Sequence, residues 1–419
     1  MVENSSPIKL SIPYSFEPGF IEQIAEIKQV HEIYGKLPFD WIGGGRSAYT
    51  LHPVSTKDLL KSVQSAHRYG IHFNYLLNAA ALYGLEHTRK GQMRIRRTLD
   101  SLVDSGIDAV TVSLPYLVTI IKKHYQSLAV RVGVFAQVDS AEKARAWEEL
   151  GADVICLSAI ACNRDFERLS AIRSAVRCDL QLIANATCTP QCAWENTHMH
   201  LLSQSSSKGV RNRGFVIDYC FVNCAMRRLR DRTSYIKSIW IRPEDLSIYK
   251  ALGYFNFKLV ERSSPSQLTF RRAKAYAEGK FDGNLWELIA PVALIKKEQG
   301  ISWRQKLHMF SLSIRPQFVP VRSMLEMKNF AGQVIPHEFI KGKTPVYIDN
   351  SSLDGFLEQL PQKKCRQALC YKCGYCRRWA QEAVSIDKSW ENRATELGNR
   401  LQQRFTDGSF WGKVSRDGK

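Results

Sequence analysis

Long hydrophobic runs are missing from this 419-residue chain. Its apolar stretches are strand-sized, far short of the roughly 20 residues a helix needs to cross a bilayer, which argues against a helical membrane protein. The opening residues, Met1 to Pro7, have neither the basic start nor the apolar stretch of a secretion signal, so a cytoplasmic setting is expected. Acidic residues are comparatively few: 40 Asp and Glu face 59 Lys and Arg, a net charge of +19. That balance points to RNA or an anionic small molecule as a partner, although no compact basic–aromatic motif accompanies it. Several catalytic signatures are lacking too. There is no G-x-S-x-G elbow and no P-loop, and neither His31-Glu32 nor His337-Glu338 continues to the second histidine of H-E-x-x-H.

Cysteine, by contrast, is abundant, with eleven in the chain. In a cytoplasmic protein that number favours metal ligation or redox chemistry over a disulfide framework. Eight of them fall into two groups of four. Cys188-x3-Cys192 and Cys220-x3-Cys224 are matched pairs within one long excursion. Residues four apart share a helix face, and even in a loop that spacing lets two thiolates converge. Four converging thiolates suit an iron–sulfur cluster or a structural zinc. Arg211, Arg213, Arg227, Arg228 and Arg230 surround the second pair with positive charge that would stabilise an anionic cluster, or would simply form a solvated face.

The other group is tighter: Cys365-x4-Cys370-x2-Cys373-x2-Cys376. A C-x2-C-x2-C run wraps three corners of a [4Fe–4S] cube with a fourth ligand nearby. Zinc usually takes two separated C-x2-C knuckles, so iron–sulfur is the preferred reading and zinc the alternative. Cys156, within Val154 to Leu157, reads as a small core residue.

The pattern of the chain is strand–helix alternation. Residues 1–38 read as a prelude with one helix from Pro18 to Val30. Strands are then expected at 39–45, 71–77, 109–112, 130–138, 153–158, 180–186, 235–241 and 254–260. Amphipathic segments such as Thr56 to Gly70 lie between them. Eight such units predict an α/β chain forming a (β/α)8 TIM-like barrel over 39–280, with the cysteine-bearing excursion at 187–234. The triplet Gly43-Gly44-Gly45 lacks the G-x-G-x-x-G spacing of a dinucleotide fold and is read as room for close backbone approach. Residues 281–419 form an irregular extension that carries the Cys-rich segment 365–376 and a short strand at 346–348. In a barrel the loops after strands make the functional face, so all four cysteines of the excursion belong near that end.

Over roughly 35–280 the chain resembles the peptidase U32 family, the collagenase-like peptidases. The likeness rests on the glycines near 43–45, Ala66 to Gly70 before a strand closing on Asn78, and Asp165-Phe166-Glu167 ahead of Asn185. It also rests on Ile241-Arg242-Pro243-Glu244-Asp245-Leu246 and on Phe257-Lys258-Leu259-Val260-Glu261-Arg262. Where the family tends to read Lys-Ile-Glu-Gly-Arg, Lys258 and Arg262 match, whereas Val260 and Glu261 do not. The resemblance implies a barrel with one cysteine-ligated [4Fe–4S] cluster. It also implies oxygen-independent hydroxylation of RNA or a small aromatic molecule, with an anionic organic oxygen donor such as prephenate. Asn185, Lys258 and Arg262 are the candidate substrate ligands. The spacing of the first cysteine pair is narrower than the family's commonest pattern, and the C-terminal group lies outside that pattern. Two other readings stay open: a U32-type peptidase or peptide-modifying enzyme, and a zinc-stabilised RNA-binding module without catalysis. A partner subunit is compatible with all three.

Overall fold

The computed structural model describes residues 7–45, 54–210, 215–291, 318–335, 344–360, 365 and 370–412. Eight strands, each paired in parallel with the next, close into a barrel. They are β1 Lys9–Pro13, β2 Val30–Gly35, β3 His72–Leu77, β4 Ala109–Val112, β5 Ala129–Val132, β6 Val154–Cys156, β7 Asp179–Ile183 and β8 Asn256–Lys258. The ring closes where Leu10 pairs with Phe257. The predicted fold class is therefore the one observed, although the strands that build it differ in two places.

The barrel begins at Lys9, inside the stretch read as a prelude. β1 and β2 flank the short helix Phe20–Ile24, and residues 39–45 form a loop instead of the first strand. The first strand does alternate, with Leu10 and Ile12 apolar on either side of Ser11, but it is five residues long, ends in proline and is followed by a helix of only five residues, while the second carries His31 and Glu32. The expected strand at 235–241 is also absent. Its first half is the helix Thr233–Lys237. Its second half runs beside the chain leaving β7, with Ile241 N donating to Ala184 O at 2.7 Å, while β7 pairs directly with β8. The cysteine pairs therefore lie between the seventh and eighth strands.

Local chemistry fixes the helices. In Thr56–Arg68 the cap is Ser55, whose hydroxyl accepts from Asp58 N while the Asp58 carboxylate accepts from Ser55 N, a reciprocal capping box. The glycine triplet does provide close approach. A methyl on Gly43, whose φ is 90°, would stand 2.8 Å from Ser203 O, and one on Gly44 would stand 2.8 Å from Asn78 Oδ1.

Outward-facing Ile33, Phe73, Val110 and Val130 pack the strands against the helices. The inward face is polar instead. Ser11 donates to Glu32 at 2.5 Å and Asn74 Nδ2 at 3.1 Å, Arg131 pairs with the other Glu32 oxygen, and Thr111 donates to Asn74. This chain of side chains links five strands across the interior.

Beyond the barrel, β9 Val346–Ile348, the expected short strand, pairs antiparallel with β10 Val384–Ile386. The helix Lys388–Thr406 lies along Tyr219–Arg230. Arg242 ties the extension to the barrel, bonding both oxygens of Asp245 as well as Asn350 O and Asp354.

Candidate functional site

The first cysteine group rests on two pieces of backbone. After β7 the chain turns off the barrel through Thr187 and Cys188, and segment 238–239 holds that turn. Ile239 N donates to Cys188 O at 3.0 Å, and Ser238 Oγ donates to Thr187 O at 3.1 Å. The second pair lies on Tyr219–Arg230, where Asp218 caps the helix by accepting from Phe221 N at 2.9 Å. Cys220 and Cys224 are four apart on one face, with Cys220 buried. Two arginines further down bind this helix to the first pair's loop: Arg228 donates to Thr187 O at 3.1 Å, and Arg227 to Thr189 Oγ1 at 2.9 Å. Both act as braces, Arg228 half-buried and Arg227 from an exposed position. Arg211 and Arg213 lie outside the described residues.

The four thiols stand within electrostatic reach of one another. The Cys188 residue is exposed, but its thiol is crowded by the surrounding chain and its pKa is raised, the Cys224 and Cys192 charges adding to this and Arg228 opposing it. Cys220 is likewise pushed up to about 12, by burial first and then by Asp218, Cys224 and Cys192. Cys224 is raised by burial against Arg228. Raised thiol pKa values mean that these groups are protonated when free and become thiolates when a metal displaces the protons. Among the described residues, no three His, Cys, Asp or Glu are gathered as a metal ion requires. The donor set fits an iron–sulfur cluster in kind: four thiols from two elements pinned to each other, with arginines alongside to balance a net-negative centre.

The second group lies in one pocket. Cys365, Cys370, Cys373 and Cys376 line it together with Thr233, Lys237, Tyr375 and Arg377. Burial pushes Cys376 up to about 11.

The candidate substrate ligands separate into two kinds. Asn185 is a backbone clamp: its Oδ1 accepts from Val260 N at 2.7 Å, while Nδ2 donates to Val260 O and Leu288 O. Lys258 is buried inside the barrel with Nζ 4.0 Å above the Tyr34 ring. Burial lowers its pKa, and the Cys156 and Glu32 charges work against that. Cys156, read as a core residue, is buried beside this lysine, its thiol pushed up to about 11 by burial. Arg262, also buried, acts electrostatically on Lys258, Lys36 and Tyr75.

Sequence reasoning missed the partners of these cations. Lys36 pairs with Asp40 at 2.9 Å, and Tyr75 donates to the same carboxylate at 3.1 Å. Below them, burial disfavours the Glu32 carboxylate, but Arg131, Ser11, Lys258 and Asn74 more than offset it and its pKa falls. Alternate polar residues in β2, Glu32 and then Lys36 just past its end, are the signal that could have shown them. Toward β6–β8 the lining turns apolar, with Ile183, Ile239 and Val260 beside Cys156. The barrel end therefore sets buried cations on one side against apolar side chains on the other.

A model of peptidase family U32 matches residues 47–253. A protein of Methanocaldococcus jannaschii named uncharacterized protease MJ1657 is 30% identical over 360 residues, spanning 86% of this chain and 90% of that protein. Among solved structures, the U32 peptidase Mk0906 shares 23% identity over 62% of this chain and 95% of its own, with a TM-score of 0.47.

Proposed function

The chain belongs to the peptidase U32 family, and from that premise we propose that it is an iron–sulfur enzyme that hydroxylates without dioxygen. An anionic organic donor such as prephenate would supply the oxygen, and RNA or a small aromatic molecule would accept it. One observation carries the reading. Four thiols on two braced elements follow β7, on a barrel that also buries the cations Lys36, Lys258 and Arg262.

Cys188, Cys192, Cys220 and Cys224 would hold the [4Fe–4S] cluster, which when bound supplies Lewis-acid or redox chemistry. The chain's own residues do the rest. Lys258 and Arg262 bind and orient the donor's carboxylate as charge-assisted hydrogen-bond donors. The Glu32–Arg131 pair closes the interior beneath Lys258, with the Glu32 charge favouring the charged lysine and Arg131 opposing it. Ile183, Ile239 and Val260 exclude water from the donor's carbon skeleton.

The peptidase reading has the relatives' names behind it. Among the described residues, however, the ring-nitrogen partners of histidines are carboxylates: Asp108 for His67 and His72, Glu86 for His87, Asp218 for His198. Serine or cysteine hydrolysis needs a histidine turned toward its nucleophile. The test is turnover under argon. Anaerobically reconstituted protein, given prephenate and bulk RNA or an aromatic acid, should add one oxygen atom to the acceptor as read by mass spectrometry. Lys258→Ala should lower the rate about 100-fold, the scale expected for a lost positioning contact. Product only in air, or cleavage of peptides instead, would overturn the reading.

A further inference from the structure

The C-terminal cysteines are absorbed neither by the family's barrel site nor by the reading above, and the structure gives them a place of their own. We propose that Cys365, Cys370, Cys373 and Cys376 hold a second [4Fe–4S] cluster, set against the segment 233–239 that also braces the first cysteine site. This inference does not rest on the hydroxylation reading.

The local fold supplies the geometry. Cys370–Cys373 is a single helical turn, which puts its two cysteines on one side at a spacing of three. Gly374, with φ 67°, turns the chain, and Cys376 opens the next helix, Tyr375–Ala383. Cys365 lines the same pocket, and among the described residues no carboxylate shares the lining. As they stand, the thiols are not drawn to a common point, and Cys365, Cys370 and Cys373 are exposed. A bound centre closes that turn, as metal sites commonly complete their own folding.

The surroundings favour a net-negative cluster over zinc. Lys237 and Arg377 line the pocket. Arg164 feels the charges of Cys376 and Cys365. Its guanidinium is locked in place, donating to Ser238 O at 2.7 Å and Trp240 O at 2.9 Å and lying 4.5 Å from the Trp240 ring. Tyr375 stacks on Phe356 with ring centroids 5.5 Å apart, and this aromatic wall shields one side from water. Four cysteines in one run of twelve residues, three of them at x2 spacing, match a cube's corners better than two zinc knuckles.

The two sites are neighbours. Ile239 is hydrogen-bonded to Cys188, and Lys237, two residues earlier, lines the second pocket.

The test is iron, sulfide and zinc analysis of the full chain after anaerobic reconstitution, with zinc also measured as purified. Wild type should hold about eight irons, and Cys373→Ala/Cys376→Ala and Cys188→Ala/Cys192→Ala about four each. Should the C-terminal double variant fail to fold by circular dichroism, Cys370→Ser replaces it, since that residue is exposed. About four irons in both wild type and C-terminal variant would overturn the proposal, as would one zinc per chain that only the C-terminal variant loses. Wild type at four irons that fall to none in the C-terminal variant supports this site while removing the barrel cluster, so the two readings fail separately.

Discussion

At position 261 a glutamate holds a backbone angle of φ 93°, in the left-handed half of the map that side chains avoid. The family strand that this stretch resembles tends to have glycine there, so the turn after β8 kept the shape while the residue changed. Glu261 hydrogen-bonds with Ser263 and its charge acts on Arg272, but the Arg272 guanidinium has further partners in Glu287 O, Ser264 and Ala290 O. Removing the carboxylate and relieving the backbone are separable. Glu261→Ala loses the charge and keeps the strain, whereas Glu261→Gly loses both. The glycine variant should therefore be the more stable of the two by about 1 kcal/mol in urea unfolding, the reverse of the usual Gly–Ala order. Residues at this scale were unevenly legible. Cysteines announce themselves by type and spacing. Lys36, Asp40, Glu32 and Arg131 do not, because an inward-facing charge in a short strand looks like loop until the strands are closed into a ring.

At the scale of elements, the Cys220–Cys224 helix depends on a helix more than 150 residues away. Gln402 donates to Asn223 at 2.8 Å, and Arg230 donates to Asn399 and Gln402. Between these contacts side chains pack directly onto Gly398, where a Cβ would stand 2.0 Å from Met226 Sδ and 2.9 Å from the Phe330 ring. Gly398→Leu should overpack this seam at a cost of about 1–3 kcal/mol. The buried Cys220 thiol should then react faster with a thiol reagent in the metal-free protein, while Cys370 labels at an unchanged rate. Equal rates at Cys220 in both proteins would show that the extension does not hold the site. None of this dependence is visible in the sequence, since helix pairing is set by packing that no local pattern encodes. Strand identity suffered in the same way. Two of the eight predicted strands are not barrel strands, and two real ones hide in the first 38 residues, because they are short and flank a helix of only five residues, so no full strand–helix unit stands out there.

At the scale of the molecule, three exposed cations lie on one helix that starts at the strand-finishing end of the barrel. Helices of a barrel start at the end where the strands finish, which is the functional face. The helix Arg89–Asp104 begins there with Arg89 and Lys90 exposed in its first turn, and Arg97 is exposed further along. The RNA branch of the proposed function requires such residues to neutralise phosphates around the mouth. Counterion release then sets the numbers. For about four phosphates of a single strand, affinity should fall roughly 50-fold between 50 and 200 mM salt. Arg89→Glu/Lys90→Glu should weaken binding across unrelated sequences and lower the salt slope by about 1.4, the share of two phosphates. Fluorescence anisotropy with a labelled single-stranded RNA, titrated at four salt concentrations, reads both. A slope near zero for the unaltered protein would remove RNA as the acceptor. The buried cations Lys36, Lys258 and Arg262 would then serve a small aromatic molecule and its donor alone.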